Sequence, residues 1–188
     1  MPKLPDIRAA RTIATTRLFR IEELDLTFAN GVEACFERLV GTSAGAVLVV
    51  PMQDADTVLL VREYAAGVHA YELALPKGRI EPGESPLAAA NRELTEEIGF
   101  AAGRVRLLRT LSLAPGYVSH ITHVVLAEDL YPKRAEGDEP EPIEVVPWRL
   151  SRLDELLARE DVSEARSIAA LFMTRELLQR KIRRNDHE

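Results

Sequence analysis

Apolar and polar positions alternate approximately over Phe19, Ile21, Leu24, Leu26 and Phe28, and the run stops at Asn30-Gly31. Alternation of this kind reads as a half-buried strand, and Asn-Gly favours a tight hairpin turn. Residues 32–40 read as the returning strand, so 19–40 predict a β-hairpin. Residues 1–14 carry no such pattern and read as a poorly ordered lead-in. Short apolar runs at 44–51 and 57–62, separated by Gln53-Asp54-Ala55-Asp56, read as a second hairpin, and 71–75 as a short strand. Further strands are expected at 105–113, 122–127 and 143–149, with the loop Ala114-Pro115-Gly116-Tyr117 between the first two. Residues 131–142 form a polar, acidic, proline-containing loop. Ser151 is expected to cap a helix over 153–159, and a longer helix runs from about 163 to 181. Mixed strands with few helices predict an α/β fold, a mixed sheet covered by helices.

One segment departs from these patterns. Pro76, Gly78, Pro82 and Gly83 break regular structure, then Ser85 and Pro86 supply an N-cap and first helical residue. Ala88, Ala89 and Ala90 favour helix and Gly99 stops it. Glu93, Glu96 and Glu97 stand at i, i+3 and i+4, within an arc of roughly 100° on a helix. Leu87, Leu94 and Ile98 form an apolar stripe beside them. Like charges packed so closely repel. A divalent cation is the natural counter-charge, and hard ions such as Mg²⁺ (or Mn²⁺) take oxygen ligands and bridge to phosphates. A solvated acidic face is the alternative for the triplet alone. Ala89 and Ala90, one turn earlier, are small enough to let the preceding loop fold close.

At 188 residues, 46% of them hydrophobic, the chain suits one compact domain with a small addition. Twenty-four Lys+Arg against 30 Asp+Glu give a formal net charge of −6, which disfavours non-specific binding to nucleic acid or anionic membrane. A bound metal would still admit a phosphate ligand. The single Cys35 excludes an internal disulfide and reads as a small buried hydrophobe. No stretch approaches a membrane span, and the N-terminus lacks a signal-peptide core. A cytoplasmic setting is the expectation.

His120 and His123 would point to opposite faces of a strand, which disfavours a metal pair. His69 is expected in a loop and His187 lies near the terminus. Arg62, at the end of a strand, suits a bidentate grip on a pyrophosphate or else a surface ion pair.

The frame Gly78-x5-Glu84-x7-Arg92-Glu93-Leu94-x-Glu96-Glu97-x-Gly99-Phe100 resembles the Nudix box. Glu128-Asp129-Leu130-Tyr131-Pro132 and Glu136-Gly137-Asp138-Glu139-Pro140-Glu141-Pro142 extend the likeness to the ADP compounds hydrolases of the NudE type, relatives of ADP-ribose pyrophosphatases. The resemblance covers most of 15–180. It implies an α/β/α sandwich with a mixed sheet over 41–188, preceded by a lead-in and hairpin over 1–40 that contacts a second subunit in a homodimer. It implies hydrolysis of the pyrophosphate bond in ADP-ribose, NADH or diadenosine polyphosphates, releasing AMP. Glu93, Glu96 and Glu97, with the backbone carbonyl of Lys77, would hold metal, and Arg92 would orient the acids by pairing with Glu96, Glu93 or Glu84. Glu93 and Arg92 thus join Glu139, the candidate base, as catalytic residues, and Glu141 is a further candidate ligand. Tyr71-Glu72-Leu73 is similar to the Trp-Glu-Leu-Pro stretch before many such boxes, which makes Glu72 a candidate for adenine or ribose. Ala114-Pro115-Gly116-Tyr117 is similar to a Ser-Pro-Gly loop, which makes Tyr117 a candidate stacking residue. Two alternatives stay open: a related enzyme preferring nucleoside triphosphates or nucleotide sugars, and a non-catalytic nucleotide sensor.

Overall fold

The computed structural model describes residues 2–41, 44–137 and 139–185, so Asp138 and His187 lie outside the described residues. The chain runs β1 (Asp6–Thr15), β2 (Arg20–Thr27), β3 (Glu33–Val40), β4 (Ala46–Pro51), β5 (Thr57–Ala65), β6 (Ala70–Ala74) and β7 (Lys77–Arg79). Helix α1 (Pro86–Glu93) follows, then β8 (Phe100–Leu113), β9 (Val118–Pro132), β10 (Glu144–Arg149), α2 (Leu153–Leu157) and α3 (Ala165–Asn185). Two compact units emerge, Met1–Gly45 with Ser112–Thr122, and Ala46–Leu111 with His123–Glu188.

In the first unit β2 and β3 form the expected hairpin, with Leu24 opposite Phe36. Gly31 takes a positive φ of 84°, and the Val32 amide donates to Asn30 Oδ1 at 3.1 Å. The lead-in departs from expectation. Residues 6–15 form β1, antiparallel to β2 from Asp6↔Thr27 to Thr15↔Arg20. Every residue of β1 is exposed, so the strand buries no apolar face and leaves no alternation to read. It is held by its backbone ladder and by Arg11, which pairs with Glu23 and Asp25. Cys35 is also exposed, not buried as expected, because it stands opposite Asp25 on this open sheet. The end of β3 pairs in parallel with the start of β9 at Leu39↔Val118.

The second unit holds the core, built on Leu48, Val50, Leu60, Leu73, Leu126 and Leu171. The expected hairpin of residues 44–51 and 57–62 does not form. β4 lies between β9 and β7, while β5 lies between β10 and β6 in a separate three-stranded sheet. An isolated bridge at Met52↔Val58 is what links the two runs. Both runs are apolar on both faces, so their pattern names no partner. Ser151 does not cap a helix: its amide and hydroxyl donate to Asp56 at 2.8 and 2.7 Å, and a 3₁₀ turn over Leu150–Arg152 leads into α2. With antiparallel and parallel pairs and few helices, the fold is mixed α/β, as the strand order predicts. Among the described residues no helix is long and apolar enough to cross a membrane.

Candidate active site

Local chemistry sets the acidic helix. Ser85 Oγ accepts from the Ala88 amide at 3.2 Å and Pro86 opens the helix. After Glu93 the backbone widens into a π-helical turn over Leu94–Ile98, and Gly99, at a φ of 74°, ends it. Wide turns of this kind cluster at functional sites. Ala89 and Ala90 are fully buried, and Leu94 and Ile98 face the core; Leu87, expected beside them, is exposed at the first turn. The Asn91 side chain exchanges two hydrogen bonds with the backbone of Ala102, pinning the helix to β8.

Arg92 draws two of the three acids together. Arg92 Nη1 lies 2.8 Å from Glu93 Oε1 and 2.9 Å from Glu96 Oε2. Its Nε reaches Glu84 Oε1 at 3.2 Å and its Nη2 donates to the Arg79 carbonyl at 2.8 Å. All three partners expected for Arg92 are therefore engaged at once. Burial alone would lower the Arg92 pKa, but the Glu84 and Glu93 carboxylates raise it, and the guanidinium stays charged. Burial likewise pushes Glu84 upward, and Arg92 reverses it to hold the carboxyl below its usual range. Glu93 and Glu97 are buried, each 7% exposed. Burial raises the Glu93 pKa against the pull of Arg92. It pushes Glu97 up to about 9, a shift that Glu93 and Glu63 reinforce and Lys77 opposes. The Lys77 amide donates to Glu97 Oε2 at 3.3 Å, and its ammonium pairs with Glu63.

The acidic loop reaches this helix through the helix's own end. The Ala135 amide donates to the Thr95 carbonyl at 3.0 Å and the Lys133 amide to the Gly99 carbonyl at 3.1 Å, so carbonyls left over at a helix terminus anchor the loop. Glu96 and Glu97 on the helix side and Glu139 and Glu141 on the loop side then line one cleft of about 580 Å³. A Cβ on Gly137 would stand 2.1 Å from Glu139 Oε2, so only glycine there lets Glu139 fold back. Glu141 Oε1 accepts from Tyr71 Oη at 2.6 Å.

The other candidates are placed differently. Arg62 donates to Glu144 at 2.8 Å and to Asp161 at 2.5 Å. Arg159 and Arg62 together hold the Asp161 carboxyl well below its usual range. Glu72 Oε2 accepts from both the amide and the hydroxyl of Ser163, at 3.0 and 2.8 Å. Tyr117 belongs to the first unit and is 62% exposed. Sequence reasoning missed Glu63 and Tyr71. Strand alternation places Glu63 on the face opposite Arg62, but nothing local marks Tyr71 as the partner of a residue 70 positions away.

Comparison with known proteins gives the same frame. Residues 42–172 match the model of the NUDIX domain, and residues 5–38 that of the NudE-type Nudix hydrolase N-terminal domain. The ADP compounds hydrolase NudE of Escherichia coli (strain K12) is 49% identical over 174 residues, 93% of each chain. The ADP-ribose pyrophosphatase of Bacillus subtilis (strain 168) is 29% identical over 167 residues, 86% of this chain and 90% of its own. A crystal structure of an ADP compounds hydrolase superposes with a TM-score of 0.89 at 47% identity, over 96% of this chain and 97% of the other. With the box helix, the anchored loop and a family match across most of its length, the chain belongs to the Nudix hydrolases.

Proposed function

We propose that this protein hydrolyses the pyrophosphate bond of ADP-linked compounds such as ADP-ribose, NADH and diadenosine polyphosphates, releasing AMP. The observation that carries this reading is near-full-length similarity to an ADP compounds hydrolase, in a chain where Glu96 and Glu97 of the box share one cleft with Glu139 and Glu141 of the loop.

Nudix hydrolases use divalent metal ions, and the chemistry of the donor set here, hard oxygens throughout, suits one. Glu93 and Glu97 are buried acids pressed toward the protonated state, which a dication would relieve. Gly78 leaves the space that the Glu93 carboxylate fills. We assign Glu93, Glu96, Glu97 and the Lys77 carbonyl as ligands for Mg²⁺ or Mn²⁺, with Glu141 as a further ligand. When bound, such an ion offsets phosphate charge and acidifies a nearby water.

Glu139 is assigned as the base that takes the water proton as the water oxygen attacks phosphorus. The anhydride P–O bond breaks, leaving AMP and the phosphate of the departing group. Arg92 acts as positioning residue for Glu84, Glu93 and Glu96. Tyr117, with its exposed ring, is the stacking candidate. One Glu72 oxygen already serves Ser163, which leaves the other for substrate. The double ion pair of Arg62 supports a structural role over a pyrophosphate grip.

The reading includes a cytoplasmic homodimer, with residues 1–40 as the contact and 41–188 as the catalytic domain. Exposed Leu18, Phe19, Val32 and Phe36 support that contact. The test is a panel of ADP-ribose, NADH, diadenosine polyphosphates and nucleoside triphosphates with Mg²⁺ or Mn²⁺, products resolved by chromatography. AMP with a second phosphorylated fragment is expected, and pyrophosphate released from triphosphates as the main activity overturns the assignment.

A further inference from the structure

We propose that Tyr71 is a positioning residue that holds the Glu141 carboxylate in place at the rim of the acidic cleft. This rests on the reading of Glu141 as a cation ligand. Glu141 sits on a loop, where a glutamate samples several rotamers. Tyr71 sits on β6, inside a strand ladder in which it is registered against Tyr64 of β5. The 2.6 Å bond from Tyr71 Oη to Glu141 Oε1 therefore ties a loop carboxylate to a fixed strand. It occupies one oxygen and leaves Oε2 for a cation.

The tyrosine is itself braced. The Tyr64 ring packs edge-to-face against it at 5.9 Å between centroids. Tyr64 Oη lies 2.7 Å from His69 Nδ1, and the two rings meet perpendicularly at 5.8 Å. His69 makes these contacts from a φ of 52°, a conformation that costs a non-glycine residue energy and persists where surroundings demand it. An exposed phenol–carboxylate bond left to itself would exchange with water. Here a strand, a second ring and a strained histidine keep the phenol at one point. Hydrogen bonds to ligating carboxylates orient them, and losing one typically costs 10–100-fold in metal affinity or activity.

The experiment measures Mn²⁺ binding to the metal-free protein by titration calorimetry for wild type, Tyr71→Phe, Glu141→Gln and the double variant, with Tm recorded for each. Tyr71→Phe removes only the hydroxyl. It is expected to weaken Mn²⁺ binding by about tenfold with Tm near that of wild type, and to add nothing once Glu141 is Gln. If Glu141→Gln weakens binding and Tyr71→Phe does not, Tyr71 does not position it and the ligand reading stands. If neither weakens binding, both assignments fall. Additive losses in the double variant overturn the proposal, because Tyr71 would then act through another group.

Discussion

A Cβ on Gly78 would stand 1.9 Å from Oε1 of Glu93. The loop backbone and the buried acid thus share one space, and the obstacle to any larger residue is the end of a flexible side chain. Gly78→Ala should accordingly push the Glu93 carboxylate aside while sparing the fold. Expected is a loss of turnover of about 100-fold or more, since disturbing a ligand should cost at least what its outer partners cost, with Tm within a few degrees of wild type. Activity assays beside thermal melts decide it; a variant that turns over normally would show that Glu93 needs no such space.

Glu97 sets a pH dependence for the metal-free protein. Its folded pKa, about 9, lies above the ordinary 4.5, so the folded state holds the proton more tightly than the unfolded chain. Its contribution to stability is complete below about 4.5 and is lost as pH rises toward 9. Glu97→Gln should flatten that fall and stabilise the metal-free protein at neutral pH, by on the order of a few kcal/mol. Melts across pH, with chelator present, would show the two curves diverging toward alkaline pH. The same variant should lose at least about 100-fold in kcat.

Glu139→Gln separates proton transfer from cation binding. Loss of a positioned base typically costs 10²–10⁴-fold in rate, and Mn²⁺ binding should stay close to wild type. Single-turnover rates with ADP-ribose, paired with Mn²⁺ titration, give both readings. An unchanged rate moves the base to another group.

Arg62→Ala leaves Asp161 and Glu144 without a shared partner. Arg62 is about a quarter exposed, so the expected cost is about 1–3 kcal/mol of stability with KM for ADP-ribose little altered. A large rise in KM at unchanged Tm would restore this arginine to the substrate.

The parts of the site that local chemistry dictates are readable from the chain. Ser85, Pro86 and Gly99 bound the acidic segment because caps act over three or four residues, and Glu93, Glu96 and Glu97 announce themselves by spacing. What depends on distant pairing is not readable. β4 and β5 lie in different sheets, and because both are buried on both faces their apolar runs do not say which partner each takes. β1 was hidden because it buries nothing. The widening after Glu93 leaves no mark in composition, and the bond from Tyr71 to Glu141 joins positions whose meeting only the completed fold decides.

The wide turn at Leu94–Ile98 has a consequence for how this chain can vary. It accommodates a residue beyond what a regular helix would use, so it acts as a frame shift stored in the backbone. Removing a single position such as Thr95 would let the turn close to ordinary winding, and the chain after Gly99 would stay in register because the wide turn had absorbed the extra residue. Glu96 would then stand at i+2 from Glu93, on the far side of the helix, although every acid was still present. Length across these five residues thus matters as well as identity, because a chain one residue shorter here would keep its glutamates and still turn Glu96 away from Glu93.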